Sequence, residues 1–171
     1  VVSPLIALID DQVAKLQALG LRAERILAGR DRSSSRAVGE AYVQGRLDFL
    51  FIAPERLRVP GFVEMLARRT PALVAVDEAH CISEWGHDFR PDYRLLGERL
   101  PALRPAPVVA LTATATPRVQ ADIVEQLALA APRRFIHGFR RRNIAIEAAT
   151  VKAGVDRTDV TLRLLREPGR R

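Results

Sequence analysis

"LVAVDEAHCISEWGHDF", residues 73–89, is the stretch that decides the fold. Four apolar residues with no polar alternation run straight into two adjacent carboxylates. A histidine, the chain's only cysteine and its only tryptophan follow within a few positions. A short strand that is apolar on both faces belongs in a parallel sheet covered by helices on both sides. In open sheets of that kind ligands gather at the carboxyl ends of the strands, which is where Asp77 and Glu78 fall. Taken alone, Asp-Glu after an apolar strand is explained more simply by a helix cap, so the surroundings have to decide.

Working outward, the chain alternates short β-like runs with helical stretches. Ile6, Ile9, Val13 and Leu16 recur at helical spacing after Pro4, until Gly20 stops the helix. A short run at 22–27 precedes the loop "AGRDRSSS", where Ser33 to Ser35 offer a cap for a helix through about Gln44. "DFLFIAP" reads as a strand broken by Pro54, and "GFVEMLARR" as a short amphipathic helix. "DYRLLGERL" is a helix and "PVVALTA" a strand. "PRVQADIVEQLAL" is a helix with Pro117 in its first turn. Beyond "RRFIHG" come one more apolar strand, "NIAIEAATV", and a short amphipathic helix within "DRTDVTLRLLREPGRR". This order predicts an α/β fold with a mostly parallel sheet.

A length of 171 residues suits one domain with a real core. Hydrophobic content of 48% with 27% charged residues is that of a globular chain and excludes a disordered one. No apolar run approaches the roughly 20 residues of a membrane-spanning helix, and the opening "VVSPL" reads as the end of a strand, so neither a membrane nor a signal peptide is expected. A single cysteine excludes an internal disulfide and a multi-cysteine zinc site, and points to a reducing, cytoplasmic compartment. The net charge of +7 comes from residues 133–171, which carry 11 basic and 4 acidic side chains. Of the 27 basic residues 25 are Arg, which favours forked contacts to phosphate. Such a tail fits either a nucleic-acid contact or a solvated arginine-rich segment.

The surroundings settle the carboxylates. "DEAH" with "ALTATAT" about 30 residues later resembles motifs II and III of superfamily-two helicases. "CISEWGHDFRPDYRLLG" closely resembles the aromatic-rich loop of RecQ-family DNA helicases. "VVSPLIALIDDQV" is similar to that family's motif Ia, "APERL" to its motif Ib, and "LTATATPRVQADI" to its motif III with the following helix. The segments occur in the family's order over roughly residues 1–150. The resemblance implies a three-layer RecA-like P-loop NTPase lobe lacking its phosphate-loop strand, whose place would be a gap inside the sheet. It also implies two parts: 1–138 as the incomplete first lobe, and 139–171 as interlobe linker and start of a second RecA-like lobe.

Carried over residue by residue, the resemblance implies Asp77 for Mg²⁺–ATP, through water, and Glu78 for activating the hydrolytic water. His80 would link the nucleotide site to Thr112 and Thr114. Ser3, Pro4, Pro54 and Glu55 would lie on the DNA-facing side. Trp85, His87, Phe89 and Arg90 would meet single-stranded DNA, and their chemistry agrees, because aromatics and Arg among Gly, Asp and Pro offer stacking surfaces for unpaired bases. The competing reading makes Trp85 a core anchor. A zinc reading of His80, Cys81 and His87 is weak, since no further ligands follow at metal-like spacing. Cys81 reads as a small buried side chain, and His137 as structural.

The implied function is an ATP-dependent DNA helicase of repair and recombination, moving 3′ to 5′ on single-stranded DNA and unwinding duplex, nucleoid-associated if bacterial. The phosphate-binding loop G-x-x-x-x-G-K-[ST] is absent from the 171 residues, so the sequence reads as an internal fragment, inactive as an ATPase by itself. The alternative is a non-catalytic nucleic-acid-binding module derived from a helicase lobe. An RNA helicase of the broader DEAH group is disfavoured by "CISEWGHDF". Three positions depart from the family pattern: Ala7 and Asp10 stand where Ser and Lys are frequent, and Arg142 where a proline is common.

Overall fold

A computed structural model describes residues 1–29, 31–136 and 157–166. The chain divides into two compact units, Val1–Arg133 and Arg134–Arg171. The first unit contains four short parallel strands: β1 Ala23–Ile26, β2 Phe49–Ile52, β3 Val74–Val76 and β4 Val108–Ala110. β1 pairs with β2 from Ala23↔Phe49 to Ile26↔Ile52, and β3 pairs with β4 from Val74↔Val108 to Val76↔Ala110. Val2 joins the two pairs by bridging to Ile52 on one side and Val76 on the other. Its N–H donates to the Ala75 carbonyl at 2.8 Å, and its carbonyl accepts from the Asp77 N–H at 2.9 Å. The sheet order is therefore β1, β2, Val2, β3, β4.

The expected gap for the phosphate-loop strand is not found between these strands. Among the described residues the sheet has no interior gap, because Val2 fills the place between β2 and β3. Among the described residues the outer edges of the sheet are β1 and β4. β4's three residues are all only half-buried, whereas Val74 and Val76 of β3 are buried. An edge strand lacks one neighbour and so keeps partial exposure.

The strands alternate their side chains between two cores, as a pleat requires. On one face α1 (Ile6–Ala18) sets Ile9 and Val13 against Ala23, Phe51 and Ala53. On the other, α2 (Arg32–Val43), α3 (Phe62–Ala67), α4 (Pro91–Arg99) and α5 (Pro117–Gln126) bring Val38, Leu66, Leu96 and Ile123 onto Ile26, Ile52 and Val76. This is the expected three-layer α/β arrangement of a RecA-like lobe. Buried apolar area contributes about 25 cal/mol per Å², so the larger second core supplies most of the stabilisation.

The boundaries follow local chemistry. α1 ends as Gly20 predicts: Gly20 takes φ 78°, its N–H bonds the Gln17 carbonyl, and the Leu21 N–H bonds that of Leu16. α2 corrects the expected cap. Asp31, not the serines, is the capping residue, because its carboxylate accepts the Ser34 N–H at 3.0 Å while Ser33 to Ser35 occupy the first turn. Thr116 caps α5 by accepting from the Val119 N–H, with Pro117 first in the helix as expected. In the second unit the expected C-terminal helix is α6, Arg157–Arg166. The expected strand at 143–151, His137 and Arg142 lie outside the described residues.

Candidate functional site

β3 delivers Asp77 and Glu78 to the carboxyl edge of the sheet, and three interactions fix the first of them. Asp77 Oδ2 accepts from the Ser3 hydroxyl at 3.1 Å, and Oδ1 accepts from the Glu78 N–H at 3.0 Å. The Asp77 carbonyl accepts from the hydroxyl of Tyr93, which is fully buried in α4, at 2.8 Å. Each carboxylate oxygen keeps a further lone pair. A half-buried, hard oxygen donor of this kind fits a hydrated Mg²⁺, an ion that prefers to reach protein through its own water.

Glu78 adopts φ 48°, ψ 44°, a left-handed conformation that costs a non-glycine residue on the order of 1 kcal/mol or more. Neighbouring contacts hold it there: the Ala79 N–H donates to the Leu111 carbonyl and the Leu111 N–H to that of Val76, both at 2.9 Å. The kink turns the carboxylate towards the 3₁₀ turn Ala79–Ile82, where His80 Nδ1 lies 3.2 Å from Glu78 Oε2 and 2.9 Å from Thr112 Oγ1. With the proton on Nδ1 both contacts are donated by the imidazole. The Thr112 hydroxyl in turn accepts from the Thr114 N–H at 3.2 Å. Burial, acting first, lowers the His80 pKa below its ordinary value and keeps the ring neutral, although Glu78 pulls the other way.

The aromatic-rich segment folds back on this turn. His87 stacks on His80 with ring centres 4.4 Å apart. Asp88 Oδ2 lies 3.8 Å from the Cys81 thiol and accepts from Arg90 Nε and Nη2 at 3.1 and 2.9 Å. Arg90 Nη1 also donates to the Pro4 carbonyl at 3.2 Å, tying the loop to the N-terminal segment. Gly86 is required by close approach, since a Cβ there would sit 2.6 Å from the His80 carbonyl oxygen. Pro4, Leu5, Glu78, His80, His87, Asp88, Ala113 and Thr114 together line a cleft of about 320 Å³.

Trp85 is 60% exposed, which removes the core-anchor reading. Its ring faces solvent on one side and is covered on the other by Arg118 of α5, with Cζ 3.3 Å from the ring centre. Phe89 is also exposed, with Arg94 5.7 Å away over its ring. Ser3, Pro4, Asp77, Glu78, His80, Thr112, Thr114, His87 and Arg90 are joined by contacts or by the shared cleft, and four expected positions carry qualifications. Ser3 is fully buried and spends its hydroxyl on Asp77, so it has no exposed atom to offer DNA. Pro54 is buried at the start of the 3₁₀ turn Pro54–Arg58, and Glu55 is half-buried. Arg90 is engaged with Asp88 and Pro4. Asp10, one of the departures from the family pattern, pairs with Arg25 and fastens α1 to β1.

Sequence reasoning missed Tyr93, Asp88 and Arg118. Tyr93 gave no signal beyond a tyrosine in an amphipathic helix. Asp88 could have been noticed as a carboxylate two residues before an arginine, and Arg118 as a cation in the first turn of the helix after motif III.

Comparison with known proteins places the chain among helicases. Residues 1–123 match the profile of the DEAD/DEAH box helicase family. The chain is 40% identical over 144 residues to the ATP-dependent DNA helicase RecQ of Haemophilus influenzae, covering 84% of this chain and 23% of that protein. It is 39% identical over 172 residues to the probable ATP-dependent DNA helicase RecS of Bacillus subtilis, covering 99% of this chain and 34% of the relative. It is 38% identical over 161 residues to the RecQ-like DNA helicase BLM of Xenopus laevis, covering 89% and 12%. The chain thus spans between about an eighth and about a third of the length of these relatives.

Proposed function

The chain belongs to the DEAD/DEAH box helicase family, and on that footing we propose that it is the motif Ia-to-III segment of the first RecA-like lobe of a RecQ-type, ATP-dependent DNA helicase. The observation that carries the reading is the connected path from Glu78 through His80 to Thr112 on one side and to the aromatic loop on the other. Asp77 would hold Mg²⁺ with ATP, an ion that neutralises phosphate charge when bound. Glu78, aimed by its left-handed backbone, orients and deprotonates the water that attacks the γ-phosphate. Neutral His80 holds Glu78 and Thr112 in register. Trp85, His87 and Phe89 receive unpaired bases of single-stranded DNA, where stacking contributes about 1–3 kcal/mol per base.

The phosphates themselves need a Gly-rich loop and lysine supplied by a segment outside these 171 residues, and transition-state charge needs a second RecA-like lobe. Residues 139–171 are the linker to that lobe and its beginning. The protein works on DNA in the cytoplasm, moving 3′ to 5′. Among the described residues no helix is long and apolar enough to cross a membrane.

The test is Glu78→Gln in the protein encoded by the complete gene. The expected result is retained ATP binding with hydrolysis lost, both with and without DNA. Hydrolysis at the unaltered rate would remove Glu78 from the proposed role.

A further inference from the structure

Beyond the nucleotide and DNA contacts, we propose that His80, Cys81 and Asp88 form a binding site for a single borderline-soft divalent cation of the Zn²⁺ class. The three side chains offer ligand atoms that all lie within 4.8 Å of one another. His80 Nε2 is 3.8 Å from Cys81 Sγ, and Cys81 Sγ is 3.8 Å from Asp88 Oδ2. A tetrahedral Zn²⁺ with a sulfur ligand at about 2.3 Å and nitrogen or oxygen ligands at about 2.0–2.2 Å separates such pairs by about 3.6 Å. The two spacings to sulfur need to close by about 0.2 Å, and the imidazole and carboxylate, which lie within 4.8 Å of each other, must draw together to about 3.4 Å around the ion.

The supporting contacts match at His80 and Asp88, whereas burial pushes the pKa of the Cys81 thiol up to about 11, so a bound ion must displace its proton. His80 spends Nδ1 on Thr112 and Glu78, which leaves the lone pair of Nε2 pointing at the thiol. A ligating histidine is oriented in this way by a partner on its other nitrogen. Arg90 donates twice to Asp88 Oδ2 and holds the carboxylate below its ordinary range, so the group is ionised, and an ion must take a lone pair of Oδ2 from Arg90 or bind through Oδ1. Arg90 also brings a positive charge near the site, opposed by the Glu78 carboxylate. His80 and Asp88 both line the cleft, while Cys81 lies fully buried behind them. Sulfur, imidazole and carboxylate together select Zn²⁺ over Mg²⁺ or Ca²⁺. Sequence spacing hid the set, because its third member is Asp88 and not a His or Cys. An ion there would staple the Ala79–Ile82 turn to the aromatic loop.

The site is tested on the 171-residue chain, by titrating Zn²⁺ against a chromogenic chelator and recording Co²⁺ absorption spectra. The expected outcome is one ion per chain, a thiolate-to-Co²⁺ charge-transfer band, and no competition from Mg²⁺. Cys81→Ala and Asp88→Asn should each weaken Zn²⁺ by at least about tenfold, the smallest loss seen when even an outer-shell partner is removed. Asp88 is half-exposed, so its variant keeps the fold, which a melting curve checks. No retained ion, no thiolate band, or unchanged affinity in Asp88→Asn overturns the proposal. It stands or falls by metal binding alone, whatever the outcome for ATP or DNA.

Discussion

His80 sits where the two halves of the site meet, with Nδ1 against both Glu78 and Thr112. As a neutral ring with its proton on Nδ1 it serves Glu78 and Thr112 at once. Burial lowers its folded pKa, so as pH falls through about 6.5 the unfolded chain takes up this proton before the folded one does. Stability tied to His80 is therefore complete above that pH and declines below it. Melting temperatures measured between pH 8 and 5 should fall on the acid side more steeply for the native chain than for His80→Gln. Equal slopes would mean that the ring is not held neutral. The placement of Asp77, Glu78 and His80 at the carboxyl edge of the sheet was legible because "DEAH" follows an apolar strand. The left-handed backbone of Glu78 and the buried hydroxyl of Tyr93 were not, because each depends on neighbours distant in sequence.

At the scale of elements, the aromatic loop is held by the helices on either side of it. α4 carries Tyr93 and Arg94, and α5 carries Arg118 beneath Trp85. The two helices meet closely at Gly97, where a Cβ would lie 2.1 Å from the Gln126 carbonyl oxygen. A backbone atom cannot swing aside as a side chain can. Gly97→Ala should therefore destabilise the fold by about 1–3 kcal/mol, read from the urea midpoint at constant slope. A midpoint equal to that of the native chain would show that the helices can part without cost. The periodicity of α1, α2, α4 and α5 was plain in the sequence, as was the alternation that calls for a parallel sheet. Neighbour order in that sheet was not, because period-2 and period-3.6 patterns say which face is buried and nothing about which strand lies beside which. Hence the place of Val2 between β2 and β3 could not be read from the sequence.

For the whole molecule, the described unit Val1–Arg133 carries the acid pair, the link and the aromatic surface, but its sequence has no phosphate-binding loop. Without a nest of backbone N–H groups and a lysine for the β- and γ-phosphates, residues 1–171 alone should show no DNA-stimulated ATPase activity. Turnover that disappears on Glu78→Gln would contradict this. The central claim is that the loop of residues 81–90 reports DNA to the carboxylates, which is a coupling between two sites and must appear as one. The direct measurement is the steady-state ATPase rate of the complete gene product, with and without single-stranded DNA, for the native protein and for Trp85→Ala. Because Trp85 is mostly exposed, the variant should melt at the native temperature and keep the basal rate, while stimulation by DNA is lost. A folded variant that keeps full stimulation would contradict the account.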